Sequence, residues 1–480
     1  MKVVIQNSLL TLVLFLFVTS CSTSQHARSS DNAPPNQLKA AMAEIDITPP
    51  AGHRMAGYYD ERLATGTHDP LKAKAIVLQQ GSEKIALVFC DLVGLSLNIT
   101  TNARAAASKI TGIPVSHIVI AATHSHTGPL FDDVRRFYFH KAAVEKYGKD
   151  PQEKIYYPKF LEERLTKVIA QANNNLTPAE LNAGVATQEG IPYNRRYYMK
   201  NGRVAFNPGQ LNTNIVSPAG PVDHDVGILE VTNLKKNKTI GGLTVFAMHA
   251  DTIGGTEWSA DYPFFIQQTL RKSFGPNYIS AFGAGTCGDL NQINVNVKEP
   301  VKGFEVAESL GNRIGKTVLN AQKDLQPITQ PTLSVKGITL QLPLQDVSAE
   351  DLEAAQKNIY RLGDDKLDFY AKVRAVKALD LTTRGTKTWP MEVQVFRLDA
   401  DTAIACLPAE IFVEFGLAIK KQSPFKKTIV ISICNDRPCY IPTLKAFKEG
   451  SYETVNSRLK PGTGETLVET AVKLLKELKE

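Results

Sequence analysis

Five short apolar runs in the sequence each end close to a polar residue that can bind a metal ion or transfer a proton. They are residues 118–123 before His124 and His126, 243–248 before His249, 278–282 before Asp289, 402–406 before Glu410, and 429–433 before Asn435 and Tyr440. Continuous, β-branched runs of this length are typical of strands buried on both faces of a sheet. Ligands in such sheets bind beyond the carboxyl ends of the strands. The pattern predicts one cleft and indicates an enzyme.

The rest of the chain alternates strand and helix patterns. Residues 71–79 and 84–90 read as consecutive strands joined by a hairpin turn at 80–82. Apolar residues three or four apart, together with the flanking signals, predict helices over 101–111, 158–174, 304–325, 349–362 and 462–480. The charged and aromatic stretch 138–158 is interpreted as a surface excursion. We therefore predict an α/β fold with mixed sheets of buried strands flanked by helices, in a single large catalytic domain.

The N-terminus has the pattern of an export signal. Lys2 is followed by an apolar stretch over residues 9–18 and then by Val-Thr-Ser-Cys, ending at Cys21. The stretch is too short for a good membrane span, and it resembles a bacterial lipoprotein signal in which Cys21 becomes lipidated. An ordinary secretory signal with an incidental cysteine is the alternative. We predict a signal peptide over 1–21, a flexible Ser/Asn/Pro-rich tether over 22–37, a catalytic domain over 38–480, and a lipid-anchored protein of the cell envelope.

The charge distribution argues against a nucleic-acid-binding protein, and the cysteine content argues against a disulfide-rich protein. The formal net charge of +7 is spread along the chain without a basic block, so nucleic acid is not an expected partner. Five of the six cysteines follow Cys21, and an odd number near apolar strands argues against a disulfide framework, although Cys434 and Cys439 could pair. The sequence carries no pattern that specifies an oligomeric state.

The strongest chemical motif is Thr-His-Ser-His-Thr-Gly-Pro over residues 123–129. Histidines two residues apart on an extended segment point to the same face, and imidazole is a common zinc ligand. A third histidine, His249, and the carboxylate of Glu410 follow other strands. Such a set is typical of a catalytic zinc site, because structural zinc sites use closed sets of Cys and His.

Several of these segments, taken in order, resemble the neutral/alkaline (non-lysosomal) ceramidases. The segments are Ala-Glu-Ile-Asp-Ile-Thr-Pro-Pro at 43–50, Ala-Thr-His-Ser-His-Thr-Gly-Pro at 122–129, Phe-Ala-Met-His at 246–249, Cys-Gly-Asp at 287–289, Pro-Ala-Glu at 408–410, and residues 435–443. The resemblance implies that His124, His249, Glu410 and Tyr440 bind one Zn²⁺, with His126 beside it as an acid/base group. It also implies that Arg195 approaches the substrate carbonyl.

The sequence departs from the family pattern in two places. Asn291 stands where ceramidases carry a serine assigned as the nucleophile, and the chain stops at Glu480, so we expect no appended immunoglobulin-like domain. With the metal residues intact, we expect a zinc-dependent hydrolase that uses water to cleave the amide bond of an N-acylated substrate, with ceramide-like sphingolipids as one candidate class. The alternatives are a non-catalytic surface lipoprotein that binds a lipid or glycan, and a zinc esterase or amidase acting on a non-lipid substrate.

Roles for the remaining polar residues follow from this chemistry. Tyr440 and Arg195 are predicted to donate hydrogen bonds to the developing oxyanion, and His126 to protonate the leaving group. Asp289 is predicted to orient a ligating histidine or to hold water, and capping of a turn is the alternative.

Overall fold

The computed structural model of the protein describes residues 37–480. The predicted signal peptide and tether lie outside this range except for Gln37. None of the helices in the described residues combines the length and apolarity needed to cross a membrane.

The described residues form eleven α-helices, three short 3-10 helices and twenty-four strands. The α-helices are α1 (Leu97–Thr111), α2 (Val134–Tyr147), α3 (Tyr157–Asn174), α4 (Tyr262–Phe274), α5 (Phe304–Asn320), α6 (Ala349–Asn358), α7 (Phe369–Thr383), α8 (Val413–Gln422), α9 (Leu444–Glu449), α10 (Tyr452–Asn456) and α11 (Thr463–Lys479). The 3-10 helices are Val115–His117, Ala321–Asp324 and Ile359–Arg361. The strands are β1 (Lys39–Asp46), β2 (Arg54–Met55), β3 (Arg62–Leu63), β4 (Gly66–Thr67), β5 (Lys72–Gln80), β6 (Glu83–Cys90), β7 (Ile118–Ala122), β8 (Thr177–Thr187), β9 (Tyr193–Asn194), β10 (Arg196–Met199), β11 (Val204–Phe206), β12 (Ile215–Pro218), β13 (Asp225–Asn233), β14 (Lys238–Phe246), β15 (Glu257–Trp258), β16 (Ile279–Ala284), β17 (Leu290–Asn291), β18 (Gln326–Pro327), β19 (Ser334–Pro343), β20 (Thr388–Arg397), β21 (Thr402–Cys406), β22 (Glu410–Ile411), β23 (Lys427–Ile431) and β24 (Tyr440–Ile441).

Two sheets organise the fold. The larger has nine strands in the order β16-β14-β13-β8-β1-β5-β6-β7, with β18 paired to β8 beside this path. The smaller has four strands in the order β19-β20-β21-β23. Most neighbours are antiparallel, but the pairs β6 with β7, β14 with β16, and β21 with β23 are parallel. Both sheets are therefore mixed, as predicted.

The sheets pack face to face, and helices cover their outer faces. Phe89 and Leu229 of the larger sheet share one apolar core with Ile404 and Ile431 of the smaller sheet. Helices α1, α3, α4 and α5 cover the other face of the larger sheet, and α8 and α11 cover the smaller sheet. Strands enclosed in this way need apolar residues on both faces, which explains the continuous apolar runs of the sequence.

Three parallel crossovers direct the polar segments to one place. Helix α1 connects β6 to β7, α4 connects β14 to β16, and α8 connects β21 to β23. Backbone contacts bring the ends of these strands together, because Ser125 after β7 forms a bridge with Ala250 after β14, and the N–H of Ser432 after β23 donates to the carbonyl of Ala284 in β16 at 2.8 Å. This arrangement confirms the predicted α/β fold class.

Most of the predicted elements are present, with shifted boundaries. The hairpin is formed by β5 and β6, and the helices predicted over 101–111, 158–174, 304–325, 349–362 and 462–480 correspond to α1, α3, α5, α6 and α11. The stretch interpreted as a surface excursion instead shares much of its length with helix α2, in which only Arg135 and Ala143 are buried. Its mostly exposed surface explains why no apolar periodicity marked it as a helix.

Candidate metal centre

Turns after the strands aim the candidate ligands at one another. His124 follows β7 with a φ of 70°, and Ala409, directly before Glu410, has a φ of 71°. Non-glycine residues rarely adopt this left-handed conformation, which costs on the order of 1–3 kcal/mol and is concentrated at functional sites. Ser125 and Thr127 both donate from their hydroxyls to the carbonyl of Ser259, at 2.7 and 2.8 Å. These bonds hold the His-x-His segment in place.

The hydrogen bonds of the three histidines define their tautomers. Nδ1 of His124 lies 2.7 Å from the carbonyl oxygen of Val93, Nδ1 of His249 lies 2.7 Å from that of Cys287, and Nδ1 of His126 lies 3.1 Å from that of Gly57. A carbonyl oxygen only accepts hydrogen bonds, so each Nδ1 carries the proton. Each neutral ring therefore presents the lone pair of Nε2, and backbone carbonyls orient metal-binding histidines in this way.

The lone pairs converge on the carboxylate of Glu410. Oε2 of Glu410 lies 3.3 Å from Nε2 of His124 and 3.4 Å from Nε2 of His249, and Nε2 of His126 lies 3.3 Å from that of His124. Tetrahedral zinc with bonds of about 2.0–2.1 Å has ligands about 3.3–3.4 Å apart. Oε2 is also buried without a hydrogen-bond donor among the described residues. Electron-rich atoms at these separations repel one another unless a cation lies between them, so the donor set fits zinc.

Tyr440 lies at the edge of the same cluster. Its hydroxyl is 3.5 Å from Nε2 of His249, and its backbone pairs with Glu410 in the short parallel ladder of β22 and β24. Burial and the nearby carboxylate of Glu410 hold the pKa of the phenol well above its usual value. The hydroxyl is therefore a neutral donor in this structure.

Among the described residues, Arg195 is the guanidinium that faces a candidate ligating nitrogen. Its Nη1 lies 3.2 Å from Nε2 of His249, its Nη2 donates to the carbonyl of Gly288 at 2.8 Å, and its Nε donates to Glu453 at 2.9 Å. The guanidinium also lies over the ring of Tyr440, 5.3 Å from its centroid. Arg195 is thus fixed beside the cluster.

Burial sets the charge of the cluster. Burial lowers the pKa of His249 to about 4, assisted by Arg195, and lowers the pKa of His126 well below its usual value. Burial alone would raise the pKa of Glu410, but positively charged neighbours, Arg437 among them, outweigh it and hold this pKa well below the usual range. A carboxylate beside neutral imidazoles is the protonation state that binds a divalent cation.

The part of the chain that contains the three histidines of the site is similar to a known protein family. Residues 39–261 match the family model described as "Neutral/alkaline non-lysosomal ceramidase, N-terminal". This part of the chain is similar to the neutral/alkaline non-lysosomal ceramidase family. The matched region contains His124, His126, Arg195 and His249, and it confirms the family resemblance found in the sequence.

The fold is that of neutral ceramidase. A crystal structure of neutral ceramidase from Pseudomonas aeruginosa superposes with a TM-score of 0.70 at 16% sequence identity, covering 92% of this chain and 75% of that chain. A structure described as a ceramidase complexed with C2 gives the same values. No curated protein matches the chain significantly. At this identity, the likeness to the solved structures supports the fold.

The hydrogen bonds of the Asp289 side chain go to groups other than the histidines. Its Oδ1 accepts a hydrogen bond from the backbone N–H of Val413 at 2.9 Å, and its Oδ2 accepts from Asn194 at 2.7 Å. Its backbone carbonyl accepts from the N–H of Arg195 at 2.9 Å. The carboxylate therefore caps the start of α8 and anchors the segment that carries Arg195, while backbone carbonyls orient His249. This contact corresponds to the alternative of a capping residue.

Asn291 is occupied by structural hydrogen bonds. Its amide nitrogen donates to Asn207 at 2.9 Å, and its carbonyl oxygen accepts from the backbone N–H of Ile293 at 3.0 Å. An amide has no nucleophilic oxygen of the serine type, and these bonds fix its orientation. Neither of these hydrogen bonds involves a candidate ligand of the metal.

Two charged residues at the centre were not recognised from the sequence. Nη1 of Arg437 donates to Oε1 of Glu410 at 3.0 Å. Glu453 is fully buried and accepts from Arg195 and Arg196, at 2.9 and 3.0 Å. In the sequence, the only indication that Arg437 belongs to the site is its position between Asn435 and Tyr440. Nothing in the sequence pairs Glu453 with arginines more than 250 residues away.

Aromatic rings connect the centre with the surface. The ring centroids of Tyr440 and Tyr452 are 5.4 Å apart, and Tyr452 lies 5.5 Å from Phe369 and 4.8 Å from Phe206. Phe369 is 43% exposed. We call these four residues the aromatic wall, which offers an apolar surface leading out from the metal centre.

A second group of potential ligands is neutralised by arginines. His140, Asp150 and Glu153 are close enough to hold a cation, but Arg54 lies 2.6 Å from Asp150 and Arg136 lies 2.6 Å from Glu153. The carboxylates already have cationic partners, so this group is an ion-pair network.

All five cysteines in the described part of the chain are free thiols. The pairing of Cys434 with Cys439 considered from the sequence is therefore absent. This agrees with the odd cysteine count and with the burial of four of the five thiols.

Proposed function

We propose that the protein is a zinc-dependent hydrolase that cleaves the amide bond of an N-acylated substrate with water as the nucleophile. The family match over residues 39–261 supports a hydrolase of the ceramidase type. The observation that carries the proposal is the convergence of His124, His249 and Glu410 at tetrahedral ligand spacings. His126 and Tyr440 lie directly beside these three residues.

Bound zinc would polarise the substrate carbonyl and lower the pKa of water to about 7. His124, His249 and Glu410 would hold the ion, and the hydroxyl of Tyr440 would serve as a fourth ligand or as a hydrogen-bond donor beside it. This chemistry needs no serine, which is consistent with Asn291 in the family's nucleophile position.

Two hydrogen-bond donors of the protein lie beside the candidate ligands, where they could stabilise an oxyanion. The hydroxyl of Tyr440 and Nη1 of Arg195 both approach Nε2 of His249, at 3.5 and 3.2 Å. Donors fixed in a buried site stabilise an oxyanion without reorganising during the reaction. Both are held by contacts elsewhere, Arg195 by Glu453 and Tyr440 by its strand pairing with Glu410.

His126 is placed for proton transfer. Its Nδ1–H donates to Gly57, and its side chain remains 13% exposed while that of His124 is almost fully buried. The free Nε2 can accept a proton during attack by water and return it to the leaving nitrogen. The aromatic wall can hold the apolar acyl portion of the substrate.

Metal removal and substrate pairs test the proposal. The full chain is treated with a chelator, reloaded with zinc, and assayed on an N-acyl amide and an O-acyl ester that share the same acyl chain. We expect the chelator to abolish amide cleavage and zinc to restore it. Preference for the ester would favour a zinc esterase, and a protein without affinity for zinc would favour a non-catalytic binding lipoprotein.

We also propose that the protein is anchored to a membrane of the cell envelope through a lipid on Cys21. The support is the apolar stretch over residues 9–18 followed by Val-Thr-Ser-Cys. Such an anchor would place the hydrolase close to amphiphilic substrates.

A further inference from the structure

A polar cavity of about 300 Å³ opens beside the metal centre. Four arginines contribute to its walls: Arg135, Arg384, Arg437 and Arg458. We call it the arginine cavity. Three of these arginines also line the smaller space, about 50 Å³, that contains His124, His126, Glu410 and Tyr440. The two spaces share these walls, so a molecule bound at the metal centre can extend into the arginine cavity.

Several guanidinium donors in this cavity are unused. Among the described residues, Arg437 makes side-chain hydrogen bonds only through Nη1, and Arg458 makes none through Nη2. Arg384 makes no hydrogen bond to the described residues; its guanidinium stacks 3.0 Å from the ring centroid of Trp389, and its Nε lies 3.9 Å from Oδ1 of Asp380 in a long ion pair. Unused donors in a partly buried space favour a ligand that accepts hydrogen bonds.

The carboxylates in the cavity wall are largely occupied. Asp133 binds Arg135 through both oxygens, at 2.9 and 2.8 Å, and Asp380 accepts from Arg458 at 3.0 Å. Asp436 accepts from the indole of Trp389 at 2.6 Å and from the backbone N–H of Arg437 at 2.8 Å. Asp132 also lines the cavity, and burial raises the pKa of its carboxyl group. Most of the acceptors are therefore used within the protein, while donors remain.

The amino end of one helix adds positive potential to the same space. Helix α1 begins after Ser96, which lines the cavity, whereas the amino end of α2 is capped by the carboxylate of Asp133. Helix α1 has no acidic residue in its first turn, and the hydroxyl of Ser96 is buried without a partner among the described residues. The amino ends of helices attract anions. Arginines at such ends recognise carboxylate and phosphate groups through paired hydrogen bonds.

We propose that the arginine cavity binds an anionic group of the substrate, namely a carboxylate, phosphate or sulfonate close to the scissile amide. The inference rests on the proposed hydrolase function and narrows its substrate to acidic N-acyl compounds. Ceramide carries no such group. Arg437 contacts both Glu410 and the cavity, so the anion would lie only a few bonds from the bond that is cleaved.

Matched probes test the inference on the zinc-loaded full chain. N-dodecanoylglycine carries a carboxylate, N-dodecanoyl-ethanolamine phosphate carries a phosphate, and N-dodecanoylethanolamine is the neutral analogue with the same acyl chain. A charge-assisted hydrogen bond contributes enough to change kcat/KM by roughly 10- to 100-fold. We expect at least one acidic probe to exceed the neutral one by this factor. Equal rates on all three would overturn the inference and leave the hydrolase proposal intact.

The variants Arg384→Gln and Arg374→Gln form a matched pair. Arg384 lines the cavity directly after α7, whereas Arg374 lies on the same helix with a side chain that is 55% exposed. We expect Arg384→Gln to raise KM for the preferred acidic probe about tenfold, with kcat and the neutral probe unchanged. Arg374→Gln should match the wild type. An unchanged KM in Arg384→Gln would contradict the inference.

Measurements of equilibrium binding test the anion site independently of the hydrolase activity. If none of the three probes is cleaved, the hydrolase proposal fails, and calorimetric titration of zinc-loaded protein with the two acidic probes tests the cavity alone. Binding of either probe that is about tenfold weaker in Arg384→Gln than in Arg374→Gln supports an anion site. Equal or absent binding overturns it.

Discussion

Arg437 donates from Nη1 to Oε1 of Glu410 over 3.0 Å, while Oε2 of the same carboxylate faces His124 and His249. One oxygen is thus held by a cation of the protein, and the other is free to bind a metal ion. Partners of this kind orient the ligand, and their loss typically weakens metal affinity by about 10- to 100-fold.

We therefore expect Arg437→Gln to weaken zinc affinity by about 10- to 100-fold, because Glu410 loses the partner that orients it. Competition for zinc against a coloured chelator measures the change. Arg384→Gln is the control, since Arg384 stacks on Trp389 and is expected to keep wild-type zinc affinity. Equal affinities in the two variants would show that the hydrogen bond to Glu410 does not support the metal site.

His126→Ala should keep zinc and slow turnover. His126 is placed as an acid/base group, and loss of such a group typically lowers the rate by about 10²- to 10⁴-fold. Zinc content and kcat are measured on the same preparation, with His140→Ala as a control because His140 lies in the separate ion-pair network. Loss of zinc together with activity would instead identify His126 as a ligand.

Asn291→Ala should retain most of the activity. The amide of Asn291 is engaged with Asn207 and Ile293, and the proposed nucleophile is water. The rate of amide cleavage is compared with that of His249→Ala, which should lose nearly all turnover. A collapse of activity in Asn291→Ala in a folded, zinc-loaded protein would contradict the proposed nucleophile.

Cys21→Ser should release the protein from membranes. The prediction depends on the short apolar segment before Cys21, which is a signal pattern and not a membrane span. Membrane fractionation of cells that express the full chain measures the effect, and Ser22→Ala is the matched control. Unchanged membrane retention of Cys21→Ser would exclude the lipid anchor.

The buried imidazole of His53 should make stability depend on pH. Burial lowers the pKa of His53 from 6.5 to about 4. Between these values the unfolded chain binds a proton that the folded protein does not, so stability is full above pH 6.5 and falls as the pH drops towards 4. At about 1.36 kcal/mol per pKa unit, the loss is on the order of 3 kcal/mol.

Urea unfolding at pH 7 and pH 5 measures this dependence. His53→Gln cannot bind the proton and should lose less stability between the two values than the wild type. Identical pH dependence in both proteins would show that His53 is not the group that titrates.

The sequence was informative where local pattern determines structure. The apolar runs before His124, His249, Glu410 and Tyr440 are buried strands or lead from them, and this burial brings the residues that follow into one cleft. A short, continuous apolar run fits a strand in a sheet that is covered on both faces, because both sets of alternating side chains are then buried. The strand-end positions of the candidate ligands could therefore be predicted from the order of residues alone.

Long-range ion pairs could not be predicted in this way. Glu453 binds Arg195 across 258 positions of the chain, and Arg437 is held against Glu410 by a turn with no periodic signal. Helix α2 has few buried apolar residues, so its pattern resembled that of a surface segment. The contacts of the Asp289 carboxylate could not be predicted either, because its partner is the backbone N–H of Val413 at the start of α8, which is distant in the sequence.

The most direct test of the account is the zinc content of the purified full chain and of its His249→Ala and His140→Ala variants, measured by atomic absorption after dialysis against limiting free zinc. We expect one zinc ion per chain in the wild type and in His140→Ala, and a loss of nearly all zinc in His249→Ala. Equal zinc contents in all three proteins, or a wild type that binds none, would contradict the assignment of the metal centre.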